Sequence, residues 1–219
     1  MPLEAASELL DHARRHQYAV GYFESWDVAS LEGVIDAAEQ TKSPAIIGFN
    51  GEFLAHTKRA MPARLEWYAA LGRAAAESAR VPCSLIFNEC PVDAWVEYAT
   101  RLGFNLVMLT DPNASRGDIC RRIAKLVREA HSRNVAVEAE LGELPSGAAI
   151  ADQSSAAMTD PDDAAAFVQE TGVDFLAVSA GKIHIVLDGQ HDLDLDHLAT
   201  LRKKVEVPLV LHGGSGISN

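Results

Sequence analysis

Seven short apolar runs recur along the chain, and longer amphipathic stretches separate them. The runs cover residues 18–23, 44–49, 83–87, 106–110, 135–141, 175–180 and 208–212. All have strand length and are rich in β-branched or bulky side chains. Between them apolar residues recur at helical spacing: Leu31, Val34, Ile35 and Ala38; Ile119, Ile123, Leu126, Val127 and Ala130; Ala164, Phe167 and Val168; Leu195, Leu198 and Leu201. Thr159-Asp160-Pro161-Asp162 reads as a capping box with proline in the first turn. Gly103 and Gly172 stand where a helix needs a left-handed terminator.

Strands alternating with helices require parallel pairing, because the crossover is what each helix supplies. Two α/β architectures are open to such a chain: a doubly wound sheet and a closed (β/α)₈ TIM barrel. The first strand is not followed by G-x-G-x-x-G. Polar residues also end nearly every run, at Glu24, Asn50, Asn88, Asp111, Glu140 and His212. An open sheet gathers its site at one switch point, whereas a barrel gathers it from many strand ends. The barrel is therefore expected, as a single domain over residues 1–219. Seven strands are visible, so the expectation includes a C-terminal strand and helix missing from this chain, with exposed edges that favour a homo-oligomer.

The bulk numbers narrow the function. Net charge is -12 and pI about 5.0, which disfavours a phosphate backbone as partner. No apolar stretch reaches the ~18 residues of a membrane span, and the N-terminus lacks the basic and apolar regions of a signal peptide. Cys83, Cys90 and Cys120 are too few and scattered for a disulfide framework, so a reducing cytoplasm is expected. A small molecule is the expected partner, with neither nucleic acid nor membrane.

Several residues carry potential chemistry. His212 ends the seventh run and is followed by Gly213-Gly214-Ser215-Gly216. Such a turn lets backbone N–H groups converge on an anion. His184, in the loop after the sixth run, could share a metal ion with His212 if both sit at adjacent strand ends. Glu138 and Glu140 lie two apart on the fifth run and so share a face. Glu138 could face the lumen or an outer cation. Asn88-Glu89 end the third run, and Asp111-Pro112-Asn113 has the composition of a turn. His12, His16, His56, His131, His191 and His197 fall in polar stretches and are expected to be solvated.

These motifs resemble the class II, metal-dependent fructose-bisphosphate and tagatose-bisphosphate aldolases. The likeness covers essentially the whole chain: YAVGYF, LEGVIDAAEQTKSPAII, VAVEAELGEL, TDPDDAAAFVQETGVDFLAVSAG and, most specifically, VPLVLHGGSGI. The resemblance implies a TIM barrel, a divalent metal, and lyase chemistry on a ketose or ketose phosphate through a metal-stabilised enediolate. It implies His184 and His212 as metal ligands. Where the family has an Asp-His pair, this chain has Asn88-Glu89, so Glu89 becomes the third expected ligand and Asn88 occupies the place of the proton-transferring Asp. A His₂Glu set accepts zinc, and also iron, manganese or cobalt. Glu140 matches a carboxylate beside the metal. Asn50, Gly181, Gly213, Gly214, Ser215 and Gly216 are the expected substrate contacts. Glu140, Asp111 and Glu24 are the candidate bases in place of Asp.

Other departures gather at the same positions. The family's His-Gly-x-Tyr-Lys becomes His184-Ile185-Val186-Leu187-Asp188, which removes a phosphate-binding lysine and adds a carboxylate. Ser-x-Gly-Ala becomes Asn50-Gly51-Glu52-Phe53, and an Asn becomes Glu24. The expectation is an aldolase-like lyase with little taste for bisphosphates. The alternative is a non-catalytic binding or scaffold protein that has lost the catalytic Asp.

Overall fold

The computed structural model describes residues 3–58, 61, 63–141, 158–180 and 193–213. The chain divides into two compact units, Met1–Glu138 and Ala139–Asn219.

In the first unit the strands are β1 (Gly21–Glu24), β2 (Ala45–Asn50), β3 (Cys83–Cys90), β4 (Leu106–Leu109) and β5 (Ala136–Leu141), whose last residues pass into the second unit. They pair in chain order and all in parallel. β2 is buried along its whole length, and β3 at all but one residue, as apolar strands covered on both faces must be. Gly48 is dictated by this packing: a Cβ there would lie 2.1 Å from the Ile86 carbonyl oxygen.

The helices are α1 (Ala6–His16), α2 (Val28–Thr41), the single turn α3 (Gly51–Leu54), α4 (Leu65–Ser78), α5 (Asp93–Leu102) and α6 (Arg116–His131). α2 begins at a capping box in which Asp27 accepts from the Ser30 N–H at 2.8 Å and Ser30 Oγ accepts from the Asp27 N–H at 3.0 Å. α1 buries Ala6, Leu9 and Ala13, α4 buries Leu65, Ala69, Gly72 and Ala76, and α5 buries Val96, Ala99 and Thr100. Gly103 closes α5 at φ 99°, as its position in the sequence demands.

The second unit adds α7 (Pro161–Thr171), β6 (Phe175–Val178), α8 (Leu195–Lys204) and β7 (Leu209–Val210). β6 and β7 are parallel, and Gly172 closes α7 at φ 72°. The cap of α7 corrects the sequence reading. Asp160, not Thr159, accepts from the N–H groups of Asp162 and Asp163, and Pro161 follows it. Thr159 has other work: its Oγ1 donates to the Leu141 carbonyl at 2.9 Å and accepts from the Ser179 N–H at 2.8 Å, tying β5 to the end of β6. His197 is not solvated as expected; its Nε2–H donates to the Thr159 carbonyl at 2.9 Å.

The architecture is thus α/β with seven parallel-paired strands. Among the described residues no helix is long and apolar enough to cross a membrane. The three cysteines are buried, and burial pushes the Cys90 thiol up to about 12, so no reactive thiolate forms there near neutral pH.

Candidate active site

Register brings Asn50 and Asn88 level, with Glu24 two residues short of them. Glu24 pairs with Gly48, and Asn50 pairs with Asn88. Asn50 is 7% exposed, Asn88 2% and Glu138 5%, so these polar side chains sit in the interior of the strand-end layer. Glu138 therefore takes the buried alternative rather than an outward position.

Asn50 is fixed at both ends of its amide. Its Nδ2 donates to Glu89 Oε2 at 2.8 Å, and its Oδ1 accepts from the Phe53 N–H at 3.3 Å as the N-cap of α3. Gly51 permits that turn: a Cβ there would fall 2.3 Å from Cys90 Cβ. The sequence points to Asn50 as a substrate contact; the structure uses its amide to orient Glu89.

Glu89 has φ 48°, in the left-handed region. The other non-glycine residues of this kind, Gln17, Lys42 and Asn134, stand just beyond helix ends. Glu89 instead lies within β3, where the register with β4 shifts between Phe87 and Cys90. A left-handed non-glycine residue costs about 1–2 kcal/mol, and such strain concentrates at functional sites. Here it re-aims the Glu89 side chain relative to a regular strand.

Tyr22 is a site residue that sequence reasoning missed. Its hydroxyl is buried and has no hydrogen-bond partner among the described residues. Burial pushes its pKa far above the ordinary value, and the charges of Glu24, Glu89 and Glu138 push it further, with Asn88 opposing. Glu24 is half-buried, and its carboxyl is raised by burial first; the Glu89 charge adds to this, while Asn50 and Tyr22 oppose it. Among the described residues no cation is a cause of either shift. The signal was present in period two, since Tyr22 and Glu24 share one face of β1. Asn88 Oδ1 is a second buried acceptor without a partner among the described residues.

Asp111 behaves differently. Arg122 Nη1 donates to its Oδ2 at 2.7 Å, and this bond holds the Asp111 carboxyl below its ordinary value. Its N–H acceptor role toward Asn113 at 3.2 Å makes the expected turn. Asp111 is thereby corrected from candidate base to structural ion-pair partner.

In the second unit, Glu140 is half-buried near the end of β5. His212 is also half-buried and follows β7, and Gly213 turns the chain at φ 72°. His184, Gly181, Gly214, Ser215 and Gly216 lie outside the described residues. Among the described residues no three His, Cys, Asp or Glu side chains form a metal-holding group. The chemistry of the donors nevertheless fits a divalent ion. Glu89 presents a carboxylate steadied by an amide, the kind of outer support that ligating carboxylates receive, and His212 presents an imidazole.

A family model described as fructose-bisphosphate aldolase class II matches residues 4–219. The YdjI protein of Escherichia coli strain K12 is 36% identical over 215 residues, covering 95% of this chain and 73% of YdjI. The fructose-bisphosphate aldolase of Thermus caldophilus is 33% identical over 214 residues, covering 96% of this chain and 68% of that protein. In three dimensions, the crystal structure of the YdjI aldolase from Escherichia coli K12 superposes with a TM-score of 0.82 at 32% identity, over 99% of this chain and 75% of that one.

Proposed function

The chain belongs to the class II fructose-bisphosphate aldolase family, and on that premise we propose that it is a diverged, metal-dependent aldehyde-lyase acting on a small ketose or hydroxy-ketone. The observation that supports the reading is the gathering of Glu24, Asn50, Asn88 and Glu89 at the ends of β1–β3, where Asn50 and Asn88 are level, Asn50 holds Glu89, and the Glu24 carboxyl is raised.

Glu89, His184 and His212 would hold the ion, zinc or a similar divalent metal. When bound, it supplies a Lewis acid for the substrate carbonyl. The rest of the chemistry falls to the chain. Asn88 cannot titrate, but its unpartnered Oδ1 can accept a hydrogen bond from a substrate hydroxyl and so position the carbon that loses its proton. Glu24 and Glu140 are the remaining proton carriers. Glu24 suits the part because its raised carboxyl binds a proton more firmly than an exposed glutamate. The N–H groups of Gly213, Gly214, Ser215 and Gly216 would receive one anionic group. Asp188, in place of the family's lysine, repels a second phosphate; at ~4 Å the repulsion is about 4 kcal/mol at an effective dielectric of 20. A single (β/α)₈ domain, a homo-oligomer and a cytoplasmic setting belong to the same proposal.

The test is a coupled retro-aldol assay of metal-loaded protein against fructose 1,6-bisphosphate, tagatose 1,6-bisphosphate and ketoses with one phosphate or none. Turnover of the latter group with poor bisphosphate cleavage supports the reading, and efficient bisphosphate cleavage sinks it. The non-titrating Asn88 favours a second reading, a binding protein without turnover. Elemental analysis separates the two: the lyase retains about one ion per chain and loses it in His212→Ala.

A further inference from the structure

A concavity of about 350 Å³ lies in the first unit, between the loop after β1, the end of β2 and helices α3 and α4; Asn50 and His56 also line it, so it adjoins the candidate active site at the end of β2. Its walls are aromatic. The Trp26 and Phe53 rings meet edge-on at 4.7 Å, and the Phe49 and Tyr68 rings meet edge-on at 5.1 Å. Phe49 is core, but Trp26 is 56% exposed and Phe53 50%. Two large rings side by side in water mark a surface that gains by being covered.

Two polar features give the cleft a direction. Ser25 also lines it, is 2% exposed, and has a hydroxyl without a hydrogen-bond partner among the described residues. A buried hydroxyl left unpaired is costly, so a ligand that meets it is favoured over one that does not. On the solvent side the lining includes Lys58, which is exposed and makes no ion pair among the described residues. In a chain of net charge -12, a cation left unpaired at the rim of an apolar cleft is complementary to an acid group.

We propose that this cleft binds a small hydroxyaryl acid: the ring packs against Trp26 and Phe53, the acid group faces Lys58, and the hydroxyl meets Ser25 Oγ. Trp26, Phe53 and Tyr68 offer ring faces and edges in the offset and edge-on geometries that a planar ligand satisfies, with the buried Phe49 behind them. A bisphosphate or a polyol would leave those walls in water. The site does not rest on the lyase reading, because its ligand is read from the cleft's own walls and binding requires neither metal nor turnover.

The experiment is saturation-transfer NMR and calorimetry on the purified 219-residue chain with four probes: 4-hydroxybenzoate, phenol, benzoate and glucitol. The expected order has 4-hydroxybenzoate tightest, with saturable binding. Trp26→Ala weakens it by about tenfold or more, while Trp26→Phe, which keeps a ring, retains most of it. Lys58→Met removes the preference over phenol, and Ser25→Ala removes the preference over benzoate. The proposal is overturned if the wild-type chain shows no saturable aryl binding. It is equally overturned if Trp26→Ala binds as well as wild type, or if glucitol binds more tightly than every aryl probe. A chain that binds the aryl acid yet never cleaves a ketose would sink the lyase reading and leave this one standing.

Discussion

Two acidic clusters sit in the first unit, and they are built on opposite terms. Around Arg122, Asp93 and Asp111 receive direct hydrogen bonds, at 3.1 Å to Asp93 and 2.7 Å to Asp111, and the Asp111 carboxyl is held low. Around Tyr22, the charges of Glu24, Glu89 and Glu138 all act to raise the phenol, and the Glu24 carboxyl is itself pushed up by burial. The first cluster locks the start of α5 and the turn after β4 onto α6. The second keeps charge or protons available at the strand ends. The same residue chemistry is thus held low where a guanidinium answers it and pushed up where burial dominates, the setting in which proton carriers are found.

The largest effect should come from removing the proposed proton carrier beside Tyr22. Glu24→Gln keeps size and hydrogen-bonding capacity but cannot titrate, so retro-aldol kcat should fall by about 10²–10⁴ while KM changes little. Steady-state kinetics on metal-loaded protein check this. If Glu24→Gln keeps its rate and Glu140→Gln loses it, the proton passes through Glu140 and the contrast drawn at Glu24 is wrong.

The paired cluster should respond in stability instead. Arg122→Met leaves two part-buried carboxylates without their cation, which should cost roughly 1–3 kcal/mol in urea unfolding and leave kcat/KM within about twofold. The effect has a pH signature. The folded-state pKa of Asp111 lies below its ordinary 3.8, so its contribution is complete above that value and is lost as pH falls through the folded one. The gap between wild type and Arg122→Met should therefore be full at pH 6–7 and narrow toward pH 3. A gap that does not change with pH would mean that Arg122 acts through packing alone.

The difference between the clusters also marks what the sequence could tell. Alternating apolar runs and helical spacing were sufficient for all seven strands and for α2, α6, α7 and α8. Helices α1, α4 and α5 were not among the stretches read as helical. Glu24, Asn50, Asn88 and Glu89 were legible as strand ends, since the end of an apolar run is visible in one dimension. Their partners were not. That Arg122 reaches Asp111 across a turn, that Asn50 spends its amide on Glu89, and that Tyr22 lies among three carboxylates are facts of register and packing. No spacing rule encodes them. Thr159 shows the same limit: its motif named a cap, but the neighbouring Asp160 had the better geometry for it and left Thr159 to join two strands.

The smallest effect is also the one that tests the contrast most directly, because it predicts a gain. Glu24 binds a proton more firmly in the folded chain than its ordinary 4.5 would allow, chiefly because its site is half-buried. Below 4.5 both folded and unfolded chains hold that proton, and the carboxyl adds no charge penalty. As pH rises through the raised value, the folded state must carry a charge it disfavours, and stability is lost. Glu24→Gln removes that loss, so the variant should melt higher than wild type at neutral pH and level with it near pH 4. Solvent screens a half-exposed group, so the gain should be a few degrees in Tm at most for a chain of this length. Scanning calorimetry of both proteins from pH 4 to 8 measures it. A variant that is more stable and less active would show a carboxylate retained at the expense of the fold. A variant less stable at pH 7 would place Glu24 with the paired carboxylates, in a hydrogen-bonded structural role like that of Asp111.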